Sequence, residues 1–363
     1  NVQILGQAGS GKTVMAKVIL EECALAGIPS IILDVQGDLA RLAMPPEDDP
    51  KADSERQRMW TENVEPRIWT PLSDAGLQVC INPFDLPSDT HDTPLDYDEG
   101  GYEWRMMATG LGSLLGVDES SNRGRQAVGF LENHMKSLAE SNEPPYDFGE
   151  LAESMRGLSK EDHQDQITST ALGELARTSE SYNTPSETAL FTKGSPLDIG
   201  MMLQEREGGR TPVNILYLNT LRTKERQQMF IQQFCRQMWQ WLLDNPSTEL
   251  QCLLFLDEAR SFLPAVKSPP SKDAIKLMLN EGRKYGLGTI IATQSPADVD
   301  YKATENTETA FIGQLRKKQS IEHVKNLLES DSDSDSIIAN LPSLKSGEFE
   351  LFSPSSFPGG VVS

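Results

Sequence analysis

Eight consecutive residues near the start of the chain carry the strongest chemical signature in the sequence. Gly6-Gln7-Ala8-Gly9-Ser10-Gly11-Lys12-Thr13 fits the pattern G-x-x-x-x-G-K-[ST] at every fixed position. Glycines here let the backbone curl until its N–H groups face an anion, and a helix opening at Lys12, Thr13 and Val14 adds a favourable partial charge. The chemistry expected is the binding of a nucleoside triphosphate, ATP, with Mg²⁺. Lys12 neutralises the β and γ phosphates and the Thr13 hydroxyl ligates the metal.

A second set lies about two hundred and forty residues later. Leu253-Leu254-Phe255-Leu256 delivers Asp257 and Glu258 to the end of an apolar run, where adjacent carboxylates are poorly solvated without a cation. A magnesium site accounts for them: Asp257 holds the metal through water and Glu258 polarises the attacking water as general base. A helix cap or a surface ion pair is the plainer use of an Asp-Glu pair. Thr293-Gln294-Ser295 follows another apolar run, Ile290-Ile291-Ala292. Gln294 is a candidate to sense the γ-phosphate or orient the water, and a simple turn glutamine satisfies the same spacing.

These groups meet only if a particular architecture holds them. Val2 to Leu5 reads as a short strand, Thr13 to Ala26 as a helix, and Ser30 to Asp34 as a strand. A βαβ start of this kind implies an α/β fold with a doubly wound, mostly parallel sheet. Strands Pro212–Leu218, Gln251–Leu256 and Leu287–Ala292 and helices Lys224–Leu243 and Ala274–Tyr285 then complete a RecA-like core. Extended segments are expected at 67–70 and 79–83, and a polar surface excursion at 43–58. Between residues 86 and 200 the periodicity is helical, at Tyr102–Leu115, Arg125–Leu138, Phe148–Met155 and Gln166–Thr178, with nothing that alternates like a strand. The reading is therefore an ATPase core in two halves, 1–85 and 201–353, a helical insertion at 86–200 tethered by the acidic stretch Ser88–Gly101, and a tail at 354–363. Gly347 to Phe352 alternates as an edge hairpin strand, and Asp331 to Ser336 is a solvated turn before a short helix.

Composition bounds the partners. The 33 basic and 54 acidic residues leave a net charge of −21, so nucleic acid is not bound through the overall field and any contact with it is local. Arg316-Lys317-Lys318, Lys267 and Lys272 are the local candidates. Cys23, Cys80, Cys235 and Cys252 show no C-x-x-C spacing and read as reduced structural thiols. No apolar stretch reaches the roughly 20 residues that span a bilayer, and no secretory leader is present, so the expectation is a cytoplasmic chain with no membrane partner. The run from Asn1 straight into the first strand predicts that further sequence precedes it.

Asp257-Glu258-Ala259-Arg260-Ser261-Phe262-Leu263-Pro264, Glu281-Gly282-Arg283-Lys284-Tyr285-Gly286 and Ala292-Thr293-Gln294-Ser295-Pro296 together resemble the HerA/FtsK superfamily of hexameric DNA translocases, and within it the HerA-like branch. Asp34-Val35-Gln36-Gly37-Asp38-Leu39 and Asn82-Pro83-Phe84 are similar to that branch as well. The resemblance implies a homo-hexameric ATPase ring with nucleotide between subunits, duplex DNA in the channel and a nuclease as partner. It implies that Arg283 is an arginine finger reaching a neighbour's γ-phosphate and that Gln294 is the sensor. Read without it, Arg283 and Lys284 are cations at a helix C-terminus. Two departures stand out: Gln36 lies where many relatives carry a basic residue or histidine, and the N-terminal β-barrel of HerA proteins is not in this sequence. A non-translocating regulatory or assembly ATPase of a defence or conjugation complex is the alternative function. A small-molecule kinase fits less well, because Glu258 directly follows the metal-binding Asp257.

Overall fold

The computed structural model describes residues 1–44, 54–86, 99–205, 208–305, 307–328, 334–353 and 361–362. In chain order the strands are β1 (Val2–Leu5), β2 (Ser30–Asp34), β3 (Val64–Pro71), β4 (Leu77–Cys80), β5 (Ser195–Pro196), β6 (Thr211–Tyr217), β7 (Cys252–Leu256), β8 (Leu287–Thr293), β9 (Thr309–Ile312), β10 (Glu350–Phe352) and β11 (Val361–Val362). They form one sheet in the order β11-β10-β9-β1-β8-β7-β2-β6-β3-β4-β5. The pairings from β9 through β5 are parallel, and β10 runs antiparallel to β9 and β11.

The strands at the centre are apolar at nearly every position because both of their faces are covered. Alternate residues point to opposite faces. Ile32, Phe255 and Ile290 pack on one side with Ala16, Leu20 and Ala24 of helix α1 (Lys12–Leu25). Ile31, Leu254 and Ile291 pack on the other with the remaining large helices. These are α3 (Glu99–Leu114), α4 (Asn122–Glu140), α5 (Phe148–Gly157), α7 (Ser169–Ser181), α10 (Lys224–Asp244) and α11 (Pro270–Glu281); the intervening short helices are α2 (Ser54–Asn63), α6 (Lys160–His163), α8 (Pro185–Thr192) and α9 (Ile199–Leu203). A third cluster joins Leu5 and Ile312 to Val324 and Leu328, under a helix at Lys318–Leu328.

Several local expectations need revision. Residues 54–58, the end of the polar excursion, open α2, which carries no buried residue and is held to α1 by the pair Arg56–Glu22 at 2.7 Å. Most of the rest of that excursion and of the Ser88–Gly101 stretch lies outside the described residues, as do 331–333 of the acidic run and 354–360 of the tail. Among the described residues between 86 and 200 there is one strand, the two-residue β5 beside β4, too short to show an alternation. The Gly347–Phe352 segment narrows to β10, which lies one strand in from the edge. Helix α10 is not simply amphipathic: it is sandwiched between the sheet and α3, so Gln227, Gln232, Gln233 and Arg236 are buried along with its apolar residues.

One polar side chain locks the helical layer to the sheet. Asn214 of β6 is fully buried. Its amide donates to the Met202 carbonyl of α9 at 2.7 Å, and its oxygen accepts from Trp69 Nε1 of β3 at 2.9 Å. Asn214→Val strands the Trp69 Nε1–H away from water, while the Met202 carbonyl keeps the Arg67 guanidinium, whose Nη1 donates to it at 3.0 Å; one unsatisfied buried donor costs about 1–3 kcal/mol. The expected outcome is a loss of that size in urea denaturation with an unchanged slope; a loss under about 0.5 kcal/mol would show the lock to be dispensable.

Candidate active site

The glycine loop leaves β1 at Leu5 and enters α1 at Lys12. Gly9 and Gly11 have φ of 79° and 98°, values open to glycine at little cost and strained for other residues. The loop is braced from outside: the Gln7 amide N–H donates to the Gln314 carbonyl at 2.9 Å, its side-chain amide to Gln314 Oε1 at 2.6 Å, and Gly347 N–H to the Ser10 carbonyl at 2.9 Å. A Cβ on Gly11 would stand 3.0 Å from the Gly347 nitrogen, so the two backbones need glycine at that crossing.

Parallel register carries the other groups to the same edge of the sheet. Leu5 lies opposite Thr293 of β8, and Leu256 of β7 opposite Ile291; Asp257, Glu258 and Gln294 therefore emerge beside the loop. Lys12 Nζ donates to the Gln7 carbonyl at 3.1 Å. Burial pushes its pKa down, and the Glu258 and Asp257 carboxylates partly offset that, which places all three in one field. Burial raises Asp257 to about 6, against the bond it accepts from the Glu258 N–H at 2.9 Å; the nearby Asp34 and Glu258 carboxylates push the same way. Asp34, fully buried at the end of β2, is also raised by burial, and its carboxylate accepts from the N–H groups of Gly37, Leu39 and Ala40 at 2.7, 3.1 and 3.0 Å.

Glu258 is 5 % exposed and adopts φ 52°, ψ 48°, a left-handed conformation rare for this residue type. Gln294 Nε2 donates to its Oε2 at 3.1 Å, and Arg260 Nε lies 2.7 Å from its Oε1. Gln294 thus sits on the glutamate itself. A cavity of about 320 Å³ opens between this group and the loop, lined by Gln7, Ala8, Arg260, Gln294, Arg316 and Lys317 among others.

The structure brings Lys12, Asp257, Glu258 and Gln294 together, and leaves Arg283 apart. Arg283 is 69 % exposed, pairs with Glu308 at 2.6 Å, and borders a cavity with Asn1, where β1 begins. That is the amino edge of the sheet, opposite the glycine loop. Among the basic candidates, Lys272 is buried against Asp300 at 2.8 Å and donates to the Pro264 carbonyl at 2.7 Å. It is a structural cation and is withdrawn as a nucleic-acid contact. Lys267, Arg316, Lys317 and Lys318 are exposed. Reading the spacing alone did not single out Arg260, Asp34 or Gln314. Arg260 and Asp34 occur in the quoted motifs without a role of their own, and Gln314 carries no sequence signal at all.

The donor set suits a magnesium nucleotide. The charge of Asp34, Asp257 and Glu258 is only partly offset by Lys12 and Arg260, and a divalent cation beside Asp257 supplies the remainder. All four cysteines are free thiols. No helix among the described residues is long and apolar enough to cross a membrane.

A family profile described as Helicase HerA, central domain, matches residues 2–238. Among solved structures, VirB4 of Thermoanaerobacter pseudethanolicus aligns with a TM-score of 0.66 at 15% identity, covering 97% of this chain and 86% of that one. The bacterial conjugative coupling protein TrwBdeltaN70 in its unbound form aligns at 0.60 and 14%, covering 100% and 82%. The plasmid coupling protein TrwB in complex with ADP and Mg²⁺ aligns at 0.60 and 14%, covering 100% and 83%. At these identities the likeness establishes a shared fold. No curated protein matches the sequence.

Because the folded-state pKa of Asp257 is raised to about 6 from 3.8, the folded chain binds more protons than the unfolded chain between those values. That carboxyl therefore costs stability as pH rises through the window, and the whole cost is present above it. Asp257→Asn removes the charge and keeps the oxygen that accepts from Glu258 N–H. Without nucleotide, the variant is expected to be more stable than wild type by about 3 kcal/mol at pH 8, with the difference falling to about 0.5 kcal/mol by pH 4. Thermal unfolding at the two pH values checks this; a variant less stable at pH 8 contradicts it.

Proposed function

Because the chain belongs to the family described as Helicase HerA, central domain, within the HerA/FtsK superfamily of P-loop ATPases, we propose that it is an ATP-hydrolysing motor, working as a homo-oligomeric, hexameric ring that moves duplex DNA. The observation that carries the ATPase part is the convergence of Lys12, Asp257, Glu258 and Gln294 on one crevice at the carboxyl edge. In this reading residues 6–14 hold the phosphates, Lys12 exchanges its bond to the Gln7 carbonyl for the β and γ oxygens, and Thr13 with Asp257 holds Mg²⁺. The metal, when bound, neutralises charge on the phosphates. Glu258 takes the proton of the attacking water, and Gln294 holds the carboxylate in line for that transfer.

Glu258→Gln is expected to lower ATP turnover by about a hundredfold or more while ATP still binds. Phosphate release and equilibrium nucleotide binding measure the two quantities. Turnover within twofold of wild type would remove Glu258 from the chemistry.

The ring part rests on Arg283, which stands exposed at the edge away from its own crevice and so suits a γ-phosphate held by the next subunit. Arg283→Ala is expected to cut turnover by about a thousandfold with nucleotide affinity retained. Mixing it with Glu258→Gln should restore part of the rate, since each variant supplies what its neighbour lacks. No recovery in the mixture, or a fully active monomer by particle mass, rejects the trans role.

The DNA part is supported by the family and by exposed Lys267, Arg316, Lys317 and Lys318; a nuclease partner rests on the family resemblance alone. The net charge of −21 favours a second reading, a regulatory or assembly ATPase that contacts no DNA. Duplex DNA should stimulate turnover for a motor, with stimulation falling steeply as salt rises. ATPase activity indifferent to DNA at low salt supports the regulatory reading.

A further inference from the structure

The Glu258 carboxylate is approached from two directions, by a hydrogen bond from Gln294 and by an ion pair with Arg260 that makes no hydrogen bond to Oε1. Gln294, just past β8, donates to Oε2 at 3.1 Å, and Arg260, two residues further along Glu258's own turn, sets Nε 2.7 Å from Oε1. The second arm of the same guanidinium points to the neighbouring turn, with Nη1 3.5 Å from Ser295 Oγ. Arg260 therefore spans the gap between the turn after β7 and the turn after β8. The backbone on either side of it is pinned by Ala259, Phe262 and Leu263, all essentially without exposure. The Arg260 side chain itself is 47 % exposed, so it fills no part of the core.

Glu258 needs such a hold. Its left-handed backbone, φ 52° and ψ 48°, is strained for a residue that is not glycine, and that conformation aims the side chain away from where a regular strand end would send it. An unheld carboxylate would be free to turn within the crevice. A planar guanidinium restrains it in a way a lysine ammonium on a flexible stem does not.

We propose that Arg260 is a positioning residue for hydrolysis: it clamps the Glu258 carboxylate against Gln294, and so sets the rate of ATP cleavage without contributing to nucleotide affinity. The proposal rests on the reading of Glu258 as general base and adds a determinant that acts through it. Arg260 touches neither phosphate nor water in this scheme.

The test compares steady-state ATP turnover and the binding of a fluorescent ADP analogue for wild type, Arg260→Ala, Arg260→Lys, Glu258→Gln and the double variant Glu258→Gln with Arg260→Ala. Arg260→Ala is expected to lower kcat about tenfold or more, with KM and ADP-analogue affinity within about threefold of wild type. Arg260→Lys should recover part of the lost kcat, and it serves as the informative variant if the alanine form misfolds. The double variant should be no slower than Glu258→Gln alone, because a clamp has nothing to position once the base is gone. Three results overturn the proposal: an unchanged kcat in Arg260→Ala, a loss of ATP affinity as large as the loss of kcat, or additive losses in the double variant. If Glu258→Gln turns over at the wild-type rate, the ATPase assignment of this site falls as well. A slow Glu258→Gln beside a normal Arg260→Ala removes the clamp alone.

Discussion

Parallel pairing forces strand ends to one edge, and everything chemical in this chain depends on that constraint. β1, β8 and β7 are neighbours in the sheet although β1 is separated in sequence from the other two by more than two hundred residues, and each points its carboxyl end the same way. Turns that leave a central parallel strand must open above the sheet, so the register brings the glycine loop, the Asp257-Glu258 turn and the Gln294 turn to one crevice, and the Gln294–Glu258 and Gln7–Gln314 bonds brace what it has placed. The strands cannot slip to another register, because a one-residue shift would exchange the set facing α1 for the set facing α10.

Putting three acids and one lysine at such an edge has an electrostatic cost that shapes the site. Asp34 spends its carboxylate on three backbone N–H groups and becomes a fixed scaffold for the turn at Gly37. Asp257 accepts from a single N–H and is pushed up to about 6, so it is the acid with most to gain from a cation. Glu258 already has its guanidinium and its amide. Three carboxylates a few residues apart in space thus acquire three different tasks from their partners: holding backbone, awaiting a divalent ion, and standing ready for a proton. Burial alone would treat them alike; the hydrogen-bond donors around them make the difference.

The parts of this arrangement that were legible in sequence are those written in local residues. The glycine loop, the apolar runs that became β2, β6, β7 and β8, and the long helices α4 and α10 follow from spacing, because their periodicity is continuous over a full element. What escaped is short or depends on a partner. β5 is two residues long and exists only because β4 is beside it; β9 is four residues with a mixed pattern. Lys272 reads as a surface cation until Asp300 and the Pro264 carbonyl are seen around it. The hold of Arg260 on Glu258 turns on a positive φ that no composition reports. Gln314, which braces the glycine loop from the next strand over, could not be found by any spacing rule, since its partner lies about three hundred residues away.

The two edges of the sheet divide the proposed work between subunits. In the proposed ring, the crevice at the carboxyl edge would supply the phosphate loop, the acid for the metal, the base and the sensor, and Arg283, the proposed finger, lies at the amino edge paired with Glu308. No side-chain rotation carries an arginine along the length of strands β1, β7 and β8, which run four to seven residues at about 3.3 Å per residue. Arg283 serves its own subunit as a surface ion pair worth little, or serves a neighbour's nucleotide at a rate advantage worth several kcal/mol. That asymmetry is what makes a ring more than a way of packing subunits: the amino edge of one chain supplies what the carboxyl edge of the next lacks. Hydrolysis then waits on contact between them, and each cleavage is coupled to the relative position of two subunits, which is the physical requirement for turning phosphate chemistry into motion along a polymer.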